Sequence, residues 1–275
     1  MATEKAALGA ADPLSTPKSR RVRLLWLGID DVSFDQAVER VVEMCGEEGP
    51  AYVVTPNVDH FMRTRRDAAF RAIYDNADLC LADGMPVVWA SRLLGCALKG
   101  KVSGSDMFEA LCARAAEEGF PVFFLGGTPG VAEKAKQVLT ERHPKLRVAG
   151  THSPQVQTDT EGPEDEETRE IVRKAKPQLL FVAFGMPKQE IWMARNYKRM
   201  GVPVCIAVGA SFDFVAEVQS RAPRWMQRMG LEWSWRLLHE PRRLWKRYLL
   251  HDLPFFWYVA RAWIRSMLGR RSNQK

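Results

Sequence analysis

The sequence of 275 residues lacks an apolar run long enough to cross a bilayer. Its longest uninterrupted apolar stretch near the C-terminus, residues 255–260, is far shorter than the roughly 20 residues that a spanning helix needs. The first 20 residues contain no apolar core of a signal peptide, so we expect no secretion and interpret residues 1–21 as a disordered N-terminal tail. These absences favour a cytoplasmic location.

Cysteine and histidine are also scarce, with five of each. The cysteines contain no C-x-x-C and are odd in number, which is typical of small core residues in a reducing compartment. The histidines show no paired ligand spacing, and no Asp-x-Asp follows a predicted strand, so we expect no metal cofactor. The first predicted strand is not followed by G-x-G-x-x-G, which argues against a nicotinamide-dependent oxidoreductase, the first alternative function.

Positive charge, by contrast, is concentrated at one end of the chain. Residues 221–275 carry 13 Lys and Arg against 3 Asp and Glu, a net charge of +10, whereas the other 220 residues sum to −3. The same segment holds six of the nine tryptophans. We therefore predict an α/β catalytic domain over residues 22–220 and a basic, Trp-rich appendage over residues 221–275.

Short apolar runs alternate with helix-length amphipathic segments across the first of these regions. The predicted strands are residues 24–29, 52–55, 79–81, 122–125, 146–149, 179–183 and 204–208. This alternation predicts an α/β fold with a mostly parallel, Rossmann-like sheet flanked by helices. After residue 223 only helix-like pieces follow, separated by Gly230, Pro241 and Pro254, so the appendage is predicted to be helical.

Polar residues follow the second and third predicted strands. In open parallel sheets ligands bind beyond the carboxyl ends of the strands, which makes these positions candidates for a site. Thr55 ends the second strand and Asn57 comes two residues later, while Asp83 follows the third. A carboxylate there suits a general base, but an N-cap of the next helix is an equal alternative for each residue.

Three further strand ends carry glycine or polar residues. Gly126 and Gly127 open a turn whose backbone amides suit a diphosphate, with a purely structural turn as the alternative. Lys188 and Gln189 begin the helix after the strand at 179–183, where the neighbouring Glu190 has the alternative role of satisfying the helix dipole. Asp213 follows the last strand and is a candidate for a ribose or base contact.

Eight short motifs occur in order along the chain. They are TPN, ADG-x-x-x-x-W, V-S-G-S-D, FLGG-x-P-G, FG-x-P-K-Q-E, VGASFDF, RAP-x-W-x-x-x-x-GLEW and R-L-x-x-EP-x-R-L. Together they resemble the WecG/TagA/CpsF glycosyltransferases, glycosyltransferase family 26, over roughly residues 23–250. The resemblance implies an inverting, metal-independent enzyme of cell-surface polysaccharide biosynthesis. It would transfer an N-acetylmannosamine-type or glucose-type sugar from a UDP-sugar to a polyprenyl-diphosphate-linked acceptor.

The resemblance also assigns roles to individual positions. It implies that Asp83 is the general base, that Thr55 and Asn57 line the same pocket, and that Gln189 contacts the donor sugar. Gly126, Gly127 and Asp213 fall in its nucleotide-binding segments. One departure is Lys101, which stands before V-S-G-S-D where the family usually has Arg, and lysine lacks the bidentate fork that binds phosphate.

The appendage is expected to supply countercharge to the departing diphosphate. The candidates are Arg236, Arg243, Lys246 and Arg247, and the resemblance favours the same region.

The appendage also suits a membrane surface. Tryptophan favours the headgroup region and Lys and Arg are attracted to anionic lipid, so we expect peripheral association with the inner face of the cell membrane. An ordinary amphipathic helix packed on the core is the alternative. RNA binding is disfavoured, and we expect no nucleic-acid partner. A non-catalytic membrane-bound scaffold is the second alternative function, and a homo-oligomer is compatible with the sequence.

Overall fold

The computed structural model describes residues 19–47, 49–157 and 160–272, without the side chains at positions 228, 243 and 269–272. The strands are β1 (Arg21–Leu24), β2 (Leu27–Asp30), β3 (Ala51–Val54), β4 (Leu79–Cys80), β5 (Val122–Gly126), β6 (Val148–His152), β7 (Leu179–Ala183) and β8 (Val204–Ala207). Six of them form one parallel sheet in the order β4-β3-β8-β7-β5-β6. The predicted α/β fold with a mostly parallel sheet is confirmed.

Helices cover both faces of this sheet. In the first two thirds of the chain they are α1 (Phe34–Gly46), α2 (Val58–Arg66), α3 (Ala68–Asp75), α4 (Met85–Leu93), α5 (Gly104–Glu118), α6 (Val131–Arg142) and α7 (Pro163–Ala175). They continue with α8 (Lys188–Asn196), a 3₁₀ turn (Tyr197–Arg199), α9 (Ser211–Val215), α10 (Arg224–Arg228), α11 (Glu232–His239), α12 (Pro241–Lys246), a π-helical segment (Arg247–Asp252) and α13 (Leu253–Ser272).

The central strands are buried on both faces, which explains their uninterrupted apolar sequences. Along β5, Phe124 packs in one core cluster, whereas Phe123 and Leu125 pack in the other, on the opposite face. This alternation is the two-residue period of a strand, and burial on both faces is typical of parallel sheets. The sheet therefore separates two apolar cores and leaves its carboxyl edge free to carry polar groups.

The first predicted strand is wrong in form. Residues 24–29 do not make one parallel strand, because Leu25 has a positive φ of 54° and turns the chain between β1 and β2. These two strands form a separate antiparallel hairpin. Leu24 and Leu27 are both fully buried on either side of the turn, so the apolar run that indicated a single strand is divided between two.

A buried carboxylate fixes the hairpin to the main sheet. Asp30, only 5% exposed, accepts hydrogen bonds from the backbone N–H of Cys80 in β4 at 2.8 Å and from Arg21 Nη2 at 2.8 Å. Arg21 also donates to the carbonyl oxygen of Ala77 at 2.8 Å. The tail predicted for residues 1–21 lies outside the described residues as far as position 18, and β1 begins at its last residue.

The C-terminal segment is helical from α10 onward, and it contacts the core through a few side chains. Phe255 and Val259 of α13 are buried in the same apolar cluster as Phe61 of α2. Arg247 forms an ion pair with Asp59, with its Nε 2.9 Å from the carboxylate Oδ2. Among the described residues, no helix combines the length and apolar content needed to cross a membrane.

Candidate active site

A cavity of about 980 Å³ lies at the carboxyl edge of the sheet, and residues of the C-terminal helices form part of its lining. The predicted site residues that line it are Thr55, Asn57, Asp83, Lys101, Gly127, Lys188, Gln189, Asp213, Arg236 and Arg247. They come from five strand ends, the loop before α5 and two C-terminal segments. The fold therefore brings together residues that are up to 192 positions apart, from Thr55 to Arg247.

Asp83 lies in this cavity as a half-buried carboxyl group. The N-cap position of α4 is occupied by Gly84, with a φ of 98°, and no side chain caps that helix, so Asp83 does not serve as an N-cap. Desolvation, followed by the negative charge of Glu232, raises the pKa of Asp83 to about 6, although Lys101 and His60 act in the opposite direction. A carboxylate with a pKa close to neutral pH is suited to accept a proton from a hydroxyl group.

Asn57 both lines the cavity and caps a helix. Its Oδ1 accepts a hydrogen bond from the backbone N–H of Asp59 at 3.1 Å, in the first turn of α2. The same oxygen is 2.7 Å from Nδ1 of His60. The two interpretations of Asn57 are therefore compatible, since the cap holds the side chain at the rim of the cavity.

The amide of Gln189 is fixed by the protein at both ends. Its Nε2 donates to Oε1 of Glu190 at 2.7 Å, and its Oε1 accepts from the backbone N–H of Gly209 at 3.1 Å. Glu190 is 1% exposed, and its Oε1 also lies 3.4 Å from Nε2 of His60. It therefore stands in the first turn of α8 and also contacts two residues that line the cavity, Gln189 and His60. Within the described part of the chain, one amide hydrogen and one lone pair of Gln189 have no partner, and the side chain lines the cavity.

The two glycines after β5 have different positions. Gly126 has a φ of 108°, and a Cβ atom there would lie 2.7 Å from the carbonyl of Ala183, so only glycine allows β5 to approach β7 so closely. Gly126 does not line the cavity, whereas Gly127 does. The N–H of Gly127 donates to the carbonyl oxygen of Ala183 at 2.9 Å and is therefore not available to an anion.

Lys101 belongs to a charge network that joins the core to the C-terminal segment. Its Nζ lies 3.6 Å from Asp106 and 3.8 Å from Glu232. Arg221 pairs with the same two carboxylates, at 2.7 Å from Asp106 and 3.8 Å from Glu232. Two cations and two anions thus balance one another beside Asp83.

The C-terminal cations proposed from the sequence are not equivalent in the structure. Arg236 lines the cavity with its guanidinium 6.0 Å from the centre of the Phe214 ring, whereas Arg247 is already paired with Asp59. Lys246 is an exception to the prediction, because its ammonium lies on the surface over the ring of Trp245, at 5.7 Å, and not in the cavity. The side chain of Arg243 lies outside the described residues.

Several lining residues were not singled out from the sequence as site residues. They are His60, Trp89, Ser103, Ser105, Glu232, Asp252 and Phe256. Ser103 and Ser105 belong to the V-S-G-S-D motif, and Trp89 and Glu232 to the ADG and GLEW motifs, so a signal was present for these four. His60 and Asp252 stand alone in the sequence, and only the fold shows that they share a cavity.

Comparison with known proteins gives concordant matches. The model of the glycosyl transferase WecG/TagA/CpsF family matches residues 22–268. An N-acetylglucosaminyldiphosphoundecaprenol N-acetyl-beta-D-mannosaminyltransferase of Bacillus spizizenii is 30% identical over 199 residues, which are 72% of this chain and 75% of that protein. A protein of the same name from Staphylococcus aureus is 28% identical over 245 residues, covering 88% of this chain and 93% of its own length.

Proposed function

The chain belongs to the WecG/TagA/CpsF family and is a hexosyltransferase, and from this premise we propose that it transfers an N-acetylmannosamine-type or glucose-type sugar from a UDP-sugar to a polyprenyl-diphosphate-linked acceptor. The names of both relatives specify an N-acetylmannosaminyl group and an N-acetylglucosaminyl-diphosphoundecaprenol acceptor, which supports this substrate class. The product would be a lipid-linked precursor of a cell-surface polysaccharide.

The observation that carries the proposal is the placement of Asp83 in the cavity with a pKa near 6. In the proposed reaction Asp83 takes the proton of the acceptor hydroxyl, whose oxygen attacks the anomeric carbon of the donor. The bond from that carbon to the diphosphate oxygen breaks, and UDP leaves with the electron pair. A single displacement of this kind inverts the configuration at the anomeric carbon. In this proposal Asn57 and Gln189, each held by hydrogen bonds within the protein, orient the two sugars.

Side-chain cations are proposed to neutralise the departing diphosphate. Arg236 and Lys188 line the cavity, and neither forms an ion pair within the described part of the chain. A guanidinium donates two parallel hydrogen bonds to phosphate oxygens, so we assign the principal role to Arg236. Lys101 is neutralised by two carboxylates and therefore has a positioning role in this scheme.

The exposed apolar residues of the C-terminal helices support association with a membrane surface. Leu249, Leu253 and Phe256 line the cavity and are also about half exposed, at 52%, 58% and 48%. The cavity is thus bordered by apolar surface on the side of the C-terminal helices. A lipid-linked acceptor bound at the inner face of the cell membrane would enter the cavity from that side.

Replacing Asp83 by Asn is the direct test of the proposed chemistry. Asp83→Asn keeps the size of the side chain but removes the base, so transfer should fall by about 10²-fold or more. The assay is release of UDP from UDP-N-acetylmannosamine or UDP-glucose with a short-chain lipid-diphosphate sugar as acceptor. Asp35→Asn, at an exposed position in α1 outside the cavity, is the control and should retain wild-type turnover. Near-normal turnover of Asp83→Asn would remove this residue from the role of base.

Chelation tests the proposal that side chains provide the countercharge. Transfer should survive EDTA, whereas Arg236→Ala should lower kcat by about 10²-fold, the range for loss of one preorganised charge-stabilising donor. Arg236→Lys should recover only part of this loss, because it lacks the second hydrogen bond. If EDTA abolishes transfer and Mg²⁺ or Mn²⁺ restores it, a metal and not Arg236 supplies the countercharge.

A further inference from the structure

Asp252 is a buried carboxyl group in the wall of the cavity whose oxygen Oδ1 has no hydrogen-bond partner among the described residues. It is the last residue of the π-helical segment and is 7% exposed. Buried polar atoms in folded proteins are nearly always paired, since leaving one unpaired costs free energy. An unpaired oxygen on the wall of a substrate cavity therefore points to a group that the substrate provides.

The charges around Asp252 determine which group that is. Its Oδ2 is 4.0 Å from Nε of Arg247, and the same nitrogen is 2.9 Å from Oδ2 of Asp59. Two carboxylates thus share one guanidinium, with the ring of His60 as the other titratable group acting on Asp252. A site with excess acidic groups repels phosphate and carboxylate and accepts hydrogen bonds from hydroxyl and amide N–H groups.

The position of Asp252 distinguishes between the two sugars of the reaction. Its helical neighbours Leu249, Leu253 and Phe256 form the exposed apolar lining of the same cavity. Because only the acceptor carries a lipid, its sugar is the one of the two that would lie nearer this apolar lining. Resting on the proposed function, this places the acceptor sugar, and not the donor sugar, beside Asp252.

We propose that Asp252, with Asp59 and Arg247, forms a subsite for the neutral sugar of the lipid-linked acceptor and disfavours an acceptor sugar that carries a carboxylate. Asp252 accepts hydrogen bonds from hydroxyl or acetamido N–H groups through its unpaired oxygen. Arg247 lies between the two carboxylates as their shared countercharge, with its Nε 2.9 Å from Asp59 and 4.0 Å from Asp252. Asp252 therefore determines acceptor specificity, while Asp83 performs the proton transfer.

The test compares two acceptors in the full-length protein. Both are short-chain lipid diphosphates, one linked to N-acetylglucosamine and the other to a hexuronic acid. At pH 8, where Asp252 is ionised, Asp252→Asn should raise KM for the neutral acceptor about tenfold, because a neutral amide oxygen is a weaker acceptor than a carboxylate, and should leave KM for the UDP-sugar within about twofold. The preference for the neutral acceptor over the uronic acid, measured as the ratio of kcat/KM values, should narrow by about tenfold.

Folding of the variant is expected to be preserved. Desolvation, followed by the charge of Asp59, raises the pKa of Asp252 from 3.8 to about 7, so the folded protein disfavours its ionised form. The contribution of this group to stability therefore falls as pH rises from about 4 to about 7, and Asn avoids that loss at pH 8. Asp59→Asn is a second variant, in which Asp252 is the one carboxylate of the pair that remains beside Arg247. It should also narrow the preference for the neutral acceptor over the uronic acid.

Asp75→Asn is the matched control, because Asp75 lies 3.9 Å from Arg71 on the exposed surface of α3. It should change neither KM nor the preference. An unchanged acceptor KM in Asp252→Asn, or equal losses on both acceptors, overturns the proposal. If the wild type transfers no sugar at all, the proposed function has failed instead, and equilibrium binding of the neutral acceptor to wild type and Asp252→Asn still decides whether the subsite exists.

Discussion

The carboxyl group of Asp83 is influenced by charges that the C-terminal segment brings to the cavity. Desolvation contributes most to its raised pKa, and Glu232 of α11 contributes next. A general base must be deprotonated to act, so kcat/KM should fall as pH decreases through about 6. The measurement is the pH profile of kcat/KM for the UDP-sugar at saturating acceptor.

Glu232→Gln tests the origin of this fall in kcat/KM at low pH, which we call the acidic limb of the profile. Removing the negative charge of Glu232 and releasing Lys101 from it both favour the ionised form of Asp83. The limb should therefore move to lower pH, on the order of 0.5 unit, which corresponds to about 0.7 kcal/mol of differential interaction. Glu240→Gln, outside the cavity, should leave the limb in place. A limb that stays near pH 6 in Glu232→Gln would show that desolvation alone sets it.

At the level of single residues, the sequence predicted which side chains line the cavity better than it predicted which side chains contact one another. Thr55, Asn57, Asp83 and Gln189 follow strands in the sequence and line one cavity in the structure. The carboxyl ends of parallel strands meet at one edge, so strand position alone indicates this convergence. The contact of His60 with Glu190 and the proximity of Asp252 to Asp59 depend on how helices pack, which a local pattern does not encode.

Among the structural elements, the hairpin of β1 and β2 depends on one buried carboxylate. Asp30 forms an ion pair with Arg21 and accepts a hydrogen bond from the backbone N–H of Cys80. Cys80 is the last residue of β4, three positions before Asp83. Asp30→Ala leaves this N–H and the guanidinium of Arg21 without their acceptor, so the free energy of unfolding should fall by about 2–3 kcal/mol. Urea unfolding followed by circular dichroism measures the change.

A surface ion pair provides the comparison for Asp30. Asp75 and Arg71 lie 3.9 Å apart with side chains 42% and 38% exposed, so Asp75→Ala should change the free energy of unfolding by less than about 0.5 kcal/mol. If Asp30→Ala costs no more than Asp75→Ala, the hairpin is held by its apolar residues and not by the buried carboxylate.

The hairpin also shows why one element was predicted in the wrong form. Residues 24–29 are apolar enough for a buried strand, and their turn contains no glycine or proline that would indicate it. Leu25 adopts a positive φ instead, which is uncommon for a side chain of this kind. Tertiary packing of Leu24 and Leu27 in the core outweighs the local preference at the turn. The strands at 122–125, 179–183 and 204–208, by contrast, end at or within one residue of their predicted positions, because burial on both faces leaves a clear apolar signal.

At the scale of the whole molecule, the C-terminal helices have two surfaces with different partners. One surface packs on the core through Phe255 and Val259, so removing the segment would expose buried apolar area. The other surface carries Trp257, 55% exposed, and Ile264, 51% exposed, together with the cations Arg261 and Arg265. Point variants on the exposed surface therefore test membrane association more cleanly than truncation does.

Trp257→Ser combined with Ile264→Ser should weaken binding to vesicles that contain anionic lipid by about tenfold or more. Burying a large apolar side chain contributes about 1.5–3 kcal/mol, and each nearby Lys or Arg adds about 1 kcal/mol at an anionic surface. The measurement is flotation with vesicles of mixed neutral and anionic phospholipid at two salt concentrations, and wild-type binding should decrease at the higher one because salt screens the cations. Val218→Ser, 56% exposed but outside these helices, is the control and should bind as the wild type does. Equal binding by the double variant and the wild type would mean that the exposed apolar surface of α13 has another partner, and that the lipid-linked acceptor reaches the cavity without this helix lying on the bilayer.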